Sequence, residues 1–248
     1  MFSNERINAI YAYLKEHKSA TVTELSRSMY ASEATVRRDL TRMQQMGMIE
    51  RSHGGAVFAE NTSEVSIFVR QGKNAREKES TIAIALRYLP NFKSVFIDNS
   101  STCLALAERM NLSHKTVVTN GLQVAMRLTQ KEAVTLIMPG GEVHYSTNSV
   151  TGALTCSMLR SFNCDVMLSS CAAIDENGTY ENSIETMQIK QTAFEQCRMR
   201  ILVVDNTKFE KSSVYRTQSA SAYDAVITNA PDAQLTALRQ KGITVYNR

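Results

Sequence analysis

The chain has 248 residues, and its 28 lysines and arginines against 24 aspartates and glutamates give a net charge of +4. A hydrophobic fraction of 43% with 21% charged residues is typical of a folded soluble protein of one large or two modest domains. No apolar run is long enough to span a membrane, and so small a net charge identifies a nucleic-acid partner only if the basic residues cluster.

Two amphipathic helices are predicted at the amino end. Apolar residues at i, i+3, i+4 and i+7 mark the first helix: Ile7, Ile10, Tyr11 and Leu14. Ser3 can cap this helix, and Phe2 can pack on Ile7 as a hydrophobic staple. The second helix is predicted to begin at Thr21, because Thr21 and Glu24 have the spacing of a capping box. Its buried stripe consists of Val22, Leu25 and Met29.

A third helix follows after a tight turn, with Ser32 as its cap and Gly47 as its stop. Its buried stripe consists of Val36, Leu40 and Met43. The outward and flanking positions are small, polar or basic: Ala34, Thr35, Arg37, Arg38, Thr41 and Arg42. Small residues let a helix approach base edges closely, and arginine binds guanine edges or phosphates. The third helix is therefore predicted to enter the major groove of DNA.

Two short strands are predicted after the third helix, over 48–51 and 56–58, with glycines at the tip between them. This order of three helices and a hairpin predicts a winged helix-turn-helix. The alternative is an ordinary three-helix unit whose arginine pair is a solvated face.

Residues 35–40 read TVRRDL, and they are followed by Gly47, Arg51 and the segment HGGA at 53–56. This pattern resembles the DeoR-type bacterial transcription regulators. The resemblance implies that residues near 20–39 form the DNA-reading unit of a domain spanning 1–58. The predicted DNA-binding residues are Thr21, Ser32, Ala34, Thr35, Arg37, Arg38, Thr41, Arg42, Arg51, His53, Gly54 and Gly55.

A polar linker is predicted over 59–74. Val65, Ile67 and Val69 alternate within it, which leaves open a strand that pairs with another element. Phe68 to Arg70 and Asn74 also resemble the DeoR pattern at this place.

Residues 75–248 alternate short apolar runs with helical patterns, as in an α/β domain with a mainly parallel sheet. Strands are predicted over 94–98, 116–119, 134–138, 164–169, 201–205, 225–228 and 243–246. Helices are predicted over 82–89, 104–110, 122–128, 184–197 and 232–241.

Ligands of open α/β sheets bind beyond the carboxyl ends of the strands, where this chain places polar residues and glycines. Hydroxyls and free N–H groups at a helix start attract anions, glycines permit close backbone approach, and lysine is a natural phosphate partner. A small anionic ligand is therefore predicted at this edge. The predicted effector-binding residues are Asp98, Ser100, Ser101, Thr102, Thr119, Asn120, Gly140, Gly141, Asp205 and Lys208.

The DeoR resemblance continues across this domain. It implies a sensor domain similar in fold to ribose-5-phosphate isomerase, which binds phosphorylated sugars or related metabolites. The chain departs from the family loop Asp-Ser-Gly-Thr-Thr, because Ser100 replaces the glycine and Cys103 follows Thr102. Two further departures are Thr228-Asn229 for Thr-Asp and the segment SSC at 169–171, where the family often has glycine.

The five cysteines, at 103, 156, 164, 171 and 197, have neither paired spacing nor a zinc-ligand pattern. They predict reduced, mostly buried thiols in a cytoplasmic protein without metal or cofactor, although Cys103 or Cys171 could sense redox state.

Two functions remain open from the sequence. One is a transcription regulator, most simply a repressor, that binds an operator as a dimer or larger homo-oligomer and responds to a phosphorylated metabolite. The other is a sugar-phosphate isomerase with a DNA-binding appendage, for which Asp175, Glu176 and Glu181 are candidate acid–base residues.

Overall fold

The computed structural model describes residues 3–46, 48–58, 66–145 and 147–248, and of Ser3 and Asn4 the backbone alone. Within these ranges the chain divides into two compact units: the first contains the residues up to Gly72 together with Tyr145 and Thr147, and the second contains Lys73–His144 and Asn148–Arg248.

The amino-terminal unit is a winged helix-turn-helix followed by a short helix. Its antiparallel sheet has the order β1-β3-β2. The elements are α1 (Ser3–His17), β1 (Ser19–Thr21), α2 (Val22–Ser28), α3 (Glu33–Gln45), β2 (Ile49–Ser52), β3 (Gly55–Phe58) and α4 (Ile67–Gly72). The predicted apolar stripes of the first three helices are all buried in one core, which confirms them apart from the half-buried Tyr11.

Local chemistry explains where the helices of this unit begin. The Thr21 hydroxyl accepts from the Glu24 backbone N–H, and the Glu24 carboxylate accepts from the Thr21 N–H, which is the predicted capping box. The Ser32 hydroxyl accepts from the Thr35 N–H and caps α3 as expected. The proposed roles of Phe2, Gly47 and the Ser3 side chain lie outside the described residues.

Two features of this unit differ from the sequence-based expectation. Of the alternating residues Val65, Ile67 and Val69, the last two lie in helix α4, so the strand left open for them is wrong. Val65 lies outside the described residues. Strand β1 was not predicted. It pairs with β3 in antiparallel fashion, and its central residue, Ala20, is buried in the core.

The carboxyl-terminal unit is built on a seven-stranded sheet of order β15-β14-β12-β9-β4-β5-β6, in which every described pair is parallel. Its strands are β4 (Ser94–Ile97), β5 (Thr116–Thr119), β6 (Thr135–Ile137), β9 (Cys164–Ser169), β12 (Cys197–Val204), β14 (Ala225–Thr228) and β15 (Val245–Tyr246). All seven predicted strands are thus confirmed, with small changes of boundary.

Helices and two small antiparallel sheets surround this large sheet. The helices are α5 (Ala75–Tyr88), α6 (Ser101–Arg109), α7 (Leu122–Leu128), α8 (Ala153–Leu159), α9 (Ile184–Glu195) and α10 (Asp232–Gln240), with 3₁₀ turns at Asn206–Lys208 and Ala220–Ala222. The small sheets combine β7 (Glu142–His144) with β8 (Ser149–Thr151), and β10 (Ala173–Ile174) and β11 (Thr179–Glu181) with β13 (Tyr215–Gln218). Helix α8 and the small sheets were not predicted.

The large sheet is buried on both faces, which is why its strands read as continuous apolar runs. In β12, Ile201 and Val203 pack into the core on one face, and Leu202 and Val204 pack into the core on the other. Within the described residues, no helix is both long and apolar enough to cross a bilayer.

The strand order reverses at the centre of the sheet. From β4 the chain proceeds outward through β5 and β6, and then returns to add β9, β12, β14 and β15 on the opposite side of β4. In such sheets the point where the strand order reverses is the usual ligand site, at the carboxyl ends of the strands. Here that point lies between β4 and β9, beside Asp98 and Ser169.

Candidate nucleic-acid interface and candidate effector site

Helix α3 presents a basic outer face. Its apolar stripe is buried, whereas the side chains on the opposite face are exposed: Ala34, Arg37, Arg38, Thr41 and Arg42. The predicted direction of the arginines is therefore confirmed. Thr35 is half-buried beside the Ser32 cap, and its hydroxyl lies 2.9 Å from that of Ser32.

The arginines of α3 differ in their partners. Arg37 Nη2 lies 2.8 Å from Glu33 Oε2, while Glu33 Oε1 accepts from the Thr23 hydroxyl at 2.8 Å, so Glu33 links α2 to α3. Within the described ranges, neither Arg38 nor Arg42 forms an ion pair. These two guanidinium groups are therefore the ones available for an anionic partner such as a DNA backbone.

A buried ion pair joins α3 to α1. Arg6 Nε lies 2.5 Å from Asp39 Oδ2, and both side chains are largely buried. The hydrogen bond to Asp39 raises the pKa of Arg6, against the effect of burial. Sequence reasoning missed this role of Asp39, although the residue stands on the buried side of the predicted helix.

The wing is joined to the helices by hydrogen bonds to backbone carbonyls. The Gly54 carbonyl accepts from the Val22 N–H at 2.8 Å, and Arg51 Nη1 donates to the Arg37 carbonyl at 3.5 Å. His53 and Gly54 are exposed at the tip, whereas Gly55 is buried beneath it. Thr21 and Ser32 are exposed, but their hydroxyls are engaged in the helix caps.

Asp98 lies where the strand order reverses, between β4 and β9, and is completely buried. Its Oδ1 accepts from the Ser100 N–H, and its Oδ2 accepts from the Ser169 hydroxyl and the Ser170 N–H, each at 2.9 Å. The carboxylate therefore ties the ends of β4 and β9 together. Burial raises the pKa of Asp98, but the charge of Lys190 and these hydrogen bonds outweigh burial and lower it.

Lys190 of α9 completes this cluster, and sequence reasoning did not single it out. Its ammonium lies 3.0 Å from Asp98 Oδ2 and 2.5 Å from Glu181 Oε1, and it donates to the Ser170 carbonyl at 2.7 Å. Burial lowers the pKa of Lys190, yet the two carboxylates outweigh burial and raise it. We call Asp98, Lys190 and Glu181 the buried triad.

The hydroxyl loop after β4 forms the start of α6. Ser100 Oγ accepts from the Cys103 N–H at 3.1 Å and caps the helix. Ser100, Ser101 and Thr102 are all buried at this end of the sheet. Ser100, which stands where the family loop has glycine, therefore acts as the cap of α6.

The predicted residues after β5 and β6 have structural partners. Thr119 Oγ1 accepts from the Gly121 N–H at 3.1 Å, and Asn120 Nδ2 donates to the Val150 carbonyl at 3.2 Å. A Cβ on Gly141 would lie 2.0 Å from Thr155 Oγ1, so this glycine permits close packing against α8. Gly140 is exposed beside it.

Beyond β12, Asp205 is completely buried and Lys208 is half-buried. Asp205 Oδ1 accepts from the Thr207 N–H at 3.1 Å and from the Thr207 hydroxyl. Asp205 Oδ2 has no hydrogen-bond partner among the described residues. The geometry therefore fixes Asp205 and leaves the Lys208 ammonium without an ion-pair partner in the described ranges.

Two of the three carboxylates considered for catalysis, Asp175 and Glu181, are held in other roles. Asp175 Oδ1 accepts from the Asn177 and Gly178 N–H groups in a turn, and Tyr180 donates to the same carboxylate. Glu176 is exposed, and Glu181 is bound to Lys190.

The cysteines are all buried and free. Burial raises the pKa of Cys171 to about 12 and that of Cys103 well above its usual range. Both environments therefore disfavour the reactive thiolate. No cluster of three metal-binding side chains occurs among the described residues.

These features define a class of two-domain protein, in which a winged helix-turn-helix with a basic reading helix accompanies an α/β domain with polar side chains at the carboxyl ends of its parallel strands. Two family models match the chain: the DeoR-like helix-turn-helix domain over residues 6–62, and the DeoR C terminal sensor domain over residues 73–230. The chain belongs to the DeoR family.

Several curated proteins are similar over almost their whole length. The glycerol-3-phosphate regulon repressor of Escherichia coli strain K12 is 30% identical over 233 residues, which cover 93% of this chain and 92% of the relative. The regulator GolR of Listeria innocua is 30% identical, covering 92% and 91% respectively. The repressor GlcR of Bacillus subtilis is 26% identical, covering 92% and 89%.

Among solved structures, ribose 5-phosphate isomerase A from Methanocaldococcus jannaschii aligns with 55% of this chain and 55% of its own. The sequence identity is 12% and the TM-score is 0.40. The fold class rests on the observed sheet order and on the two family models.

Proposed function

We propose that this protein is a transcriptional repressor of sugar or related metabolite genes, controlled by a phosphorylated metabolite that binds in the carboxyl-terminal domain. The observation that carries the DNA-binding part is the outer face of α3, where Arg38 and Arg42 are exposed and form no ion pair within the described residues. The names of the relatives, which include repressors of Escherichia coli and Bacillus subtilis, support the same function.

In this proposal α3 enters the major groove. Ala34 near the helix start permits close approach to base edges, and Arg38 binds a guanine edge or a phosphate. The wing residues Arg51 and His53 contact the adjacent backbone, which sets the register of the helix on the duplex. The caps at Thr21 and Ser32 hold the ends of the reading helices and can present N–H groups to phosphates.

The effector binds at the carboxyl ends of the large sheet, where Lys208 supplies positive charge. A metabolite that binds one conformation of the protein more tightly changes the affinity of the protein for its operator. By thermodynamic linkage, operator binding changes the affinity of the protein for the metabolite by the same factor. We expect a dimer or larger homo-oligomer, because helix-turn-helix proteins usually bind paired half-sites through two-fold symmetry.

The decisive experiment selects preferred duplexes from a random-sequence pool and measures their affinity for the protein and for Arg38→Ala. We expect the substitution to cost about 1–3 kcal/mol of binding free energy and to relax sequence preference at one position, as loss of a bidentate base contact does. Arg198→Ala is the matched control, since Arg198 is an exposed arginine of the other domain, 3.9 Å from Asp165. Unchanged affinity and preference in Arg38→Ala would remove Arg38 from the interface, and failure to select any duplex would reject DNA binding.

The alternative function is a sugar-phosphate isomerase with a DNA-binding appendage. One observation favours it: the buried triad places a lysine between two carboxylates at the carboxyl ends of the central strands. Incubation of the protein with aldose and ketose phosphates tests this alternative directly. Turnover that is lost in Glu181→Gln would establish it, whereas an absence of turnover by a protein that binds a selected duplex favours the regulator.

A further inference from the structure

Two cysteines lie side by side at the start of neighbouring strands. Cys164 is the first residue of β9 and Cys197 is the first residue of β12, and the register of these parallel strands pairs the two residues directly. The Cys164 N–H donates to the Gln196 carbonyl at 2.9 Å, which holds the strand ends in this register. We call Cys164 and Cys197 the cysteine pair.

The geometry of the cysteine pair suits a disulfide bond. Neighbouring strands are about 4.7–4.9 Å apart, and a disulfide joins residues whose Cα atoms are roughly 4.4–6.8 Å apart. Both side chains pack into the same hydrophobic core, which also contains Leu159 and Phe194. The two sulfur atoms therefore lie on one side of the sheet, and rotation of the side chains brings them together without a rearrangement of the backbone.

The two thiols of the cysteine pair differ in acidity. The Cys197 thiol donates a hydrogen bond to the Cys164 sulfur, which lowers the pKa of Cys164 against the effects of burial and of Asp165. The same hydrogen bond and burial raise the pKa of Cys197. Because the thiolate is the reactive form of cysteine, Cys164 is the residue that reacts first with an oxidant.

The cysteine pair is buried but lies close to the protein surface. Cys164 is 3% exposed and Cys197 is 4% exposed. Asn163, directly before Cys164, is exposed, and so is Arg198, directly after Cys197. Strand ends open locally at a low free-energy cost, which admits a small oxidant more readily than a large one.

We propose that Cys164 and Cys197 are a modification site, at which hydrogen peroxide forms a reversible intramolecular disulfide. The Cys164 thiolate attacks one peroxide oxygen, the O–O bond breaks, and the hydroxide that leaves takes up the proton released by Cys164. The Cys197 thiol then attacks the sulfur of the resulting sulfenic acid, the S–O bond breaks, and a second water leaves with the Cys197 proton. The two thiols lose two electrons, and hydrogen peroxide gains them to become two water molecules.

The disulfide would close the segment between the two cysteines into a loop. This segment carries Ser169 and Ser170, which bind Asp98, and it carries Glu181 and Lys190 of the buried triad. A crosslink between the ends of a segment restricts the unfolded chain and thereby stabilises the folded one. Oxidation is therefore expected to stabilise the part of the carboxyl-terminal unit that surrounds the triad.

The test exposes the full-length protein to hydrogen peroxide, alkylates the remaining thiols in denaturant, and maps disulfides by mass spectrometry of unreduced tryptic peptides. We expect peptide 161–190, which contains Cys164, to be joined to peptide 191–198, which contains Cys197, and reduction to separate them. Because Cys171 also lies in 161–190, Cys171→Ala is the matched control and should keep the link. Cys103→Ala, at a buried cysteine of α6, should keep it as well.

Substitution within the cysteine pair tests the order of the two steps. Cys164→Ala and Cys197→Ala should both lose the link. In Cys197→Ala a sulfenic acid should accumulate on Cys164 and react with dimedone, because the second thiol is missing. Dimedone labelling of Cys197 in Cys164→Ala, at the same rate, would contradict the assignment of Cys164 as the first residue to react.

Melting of the wild type before and after oxidation tests the effect on stability without any substitution. We expect oxidation to raise the melting temperature by roughly 5 °C or more, and dithiothreitol to reverse the rise. An oxidised protein that melts no higher than the reduced one overturns the stabilising effect. A link to Cys156, which packs into the same core, or to Cys171 overturns the site. A wild type that keeps both thiols free, under conditions that oxidise the denatured chain, overturns it too.

Discussion

At the tip of the wing, Gly54 has a φ of +83°, and a Cβ added there would meet no atom within 4 Å. Gly55 has the opposite constraint, because its Cβ would lie 2.2 Å from the Ala20 carbonyl oxygen of β1. The first glycine is therefore needed for its backbone conformation, and the second for the close approach of β3 to β1.

We expect Gly54→Ala to lower the free energy of unfolding of the amino-terminal unit by about 1–2 kcal/mol, the cost of a left-handed conformation with a Cβ. Gly55→Ala should cost roughly 3 kcal/mol, because a backbone atom cannot move aside as a flexible side chain can. Urea denaturation of the two variants, followed by circular dichroism, measures both losses. Equal losses would contradict the distinction between conformation and space.

At the scale of elements, α3 takes part in two ion pairs of different kinds. Arg6–Asp39 is largely buried and connects α1 to α3, with side-chain exposures of 13% and 7%. Arg37–Glu33 lies along α3 itself, with exposures of 55% and 43%. Solvent and salt screen the exposed pair, whereas the buried pair keeps its interaction and fixes the angle of the reading helix.

Double-mutant cycles should separate these two pairs. For Arg6→Met with Asp39→Asn we expect a coupling free energy of about 1–3 kcal/mol. For Arg37→Met with Glu33→Gln we expect about 0.3–0.5 kcal/mol, falling in high salt. Urea denaturation of the single and double variants gives both couplings, and a larger value for the exposed pair would contradict the assignment.

Two elements, the start of β12 and helix α4, were not predicted correctly from the sequence pattern. The first residues of β12 were not predicted as strand, because Arg198 and Arg200 interrupt the apolar run near the amino end of the sheet, where side chains reach water. Ile67 and Val69 alternate like a strand but lie two positions apart within one turn of helix α4. Short segments of this kind contain too few residues for periodicity to separate a helix from a strand.

At the scale of the whole molecule, the buried triad connects the large sheet, the small sheet of β11 and helix α9. The pKa of Asp98 is lowered, so its contribution is present above its usual value of 3.8 and is lost as the pH falls through its folded pKa. The pKa of Lys190 is raised, so its contribution is present below its usual value of 10.5 and is lost as the pH rises through its folded pKa. The triad therefore stabilises the carboxyl-terminal unit most strongly between these limits.

We expect the stability of that unit to fall steeply in acid, below about pH 4, and to do so less steeply in Asp98→Asn. The variant should be less stable at neutral pH, since it removes one carboxylate from a buried charge cluster. Glu176→Gln, at an exposed carboxylate, should keep the wild-type acid profile. Thermal melting across the acid range tests this, and an Asp98→Asn profile parallel to the wild type would contradict it.

The sequence by itself determined the helix-turn-helix unit of this protein and the seven strands of its large sheet. Caps, buried stripes and the outward direction of Arg38 depend on residues three or four positions apart, and the seven strands depend on short apolar runs, so neighbouring residues suffice to predict them. Only the tertiary structure decided that Lys190 joins Asp98 to Glu181 and that Asp39 holds Arg6. Asp98 and Lys190 meet because the sheet order places β9 between β4 and β12. Arg6 and Asp39 meet because α1 packs against α3. Both contacts join residues distant along the chain, and no local pattern in the sequence encodes either arrangement.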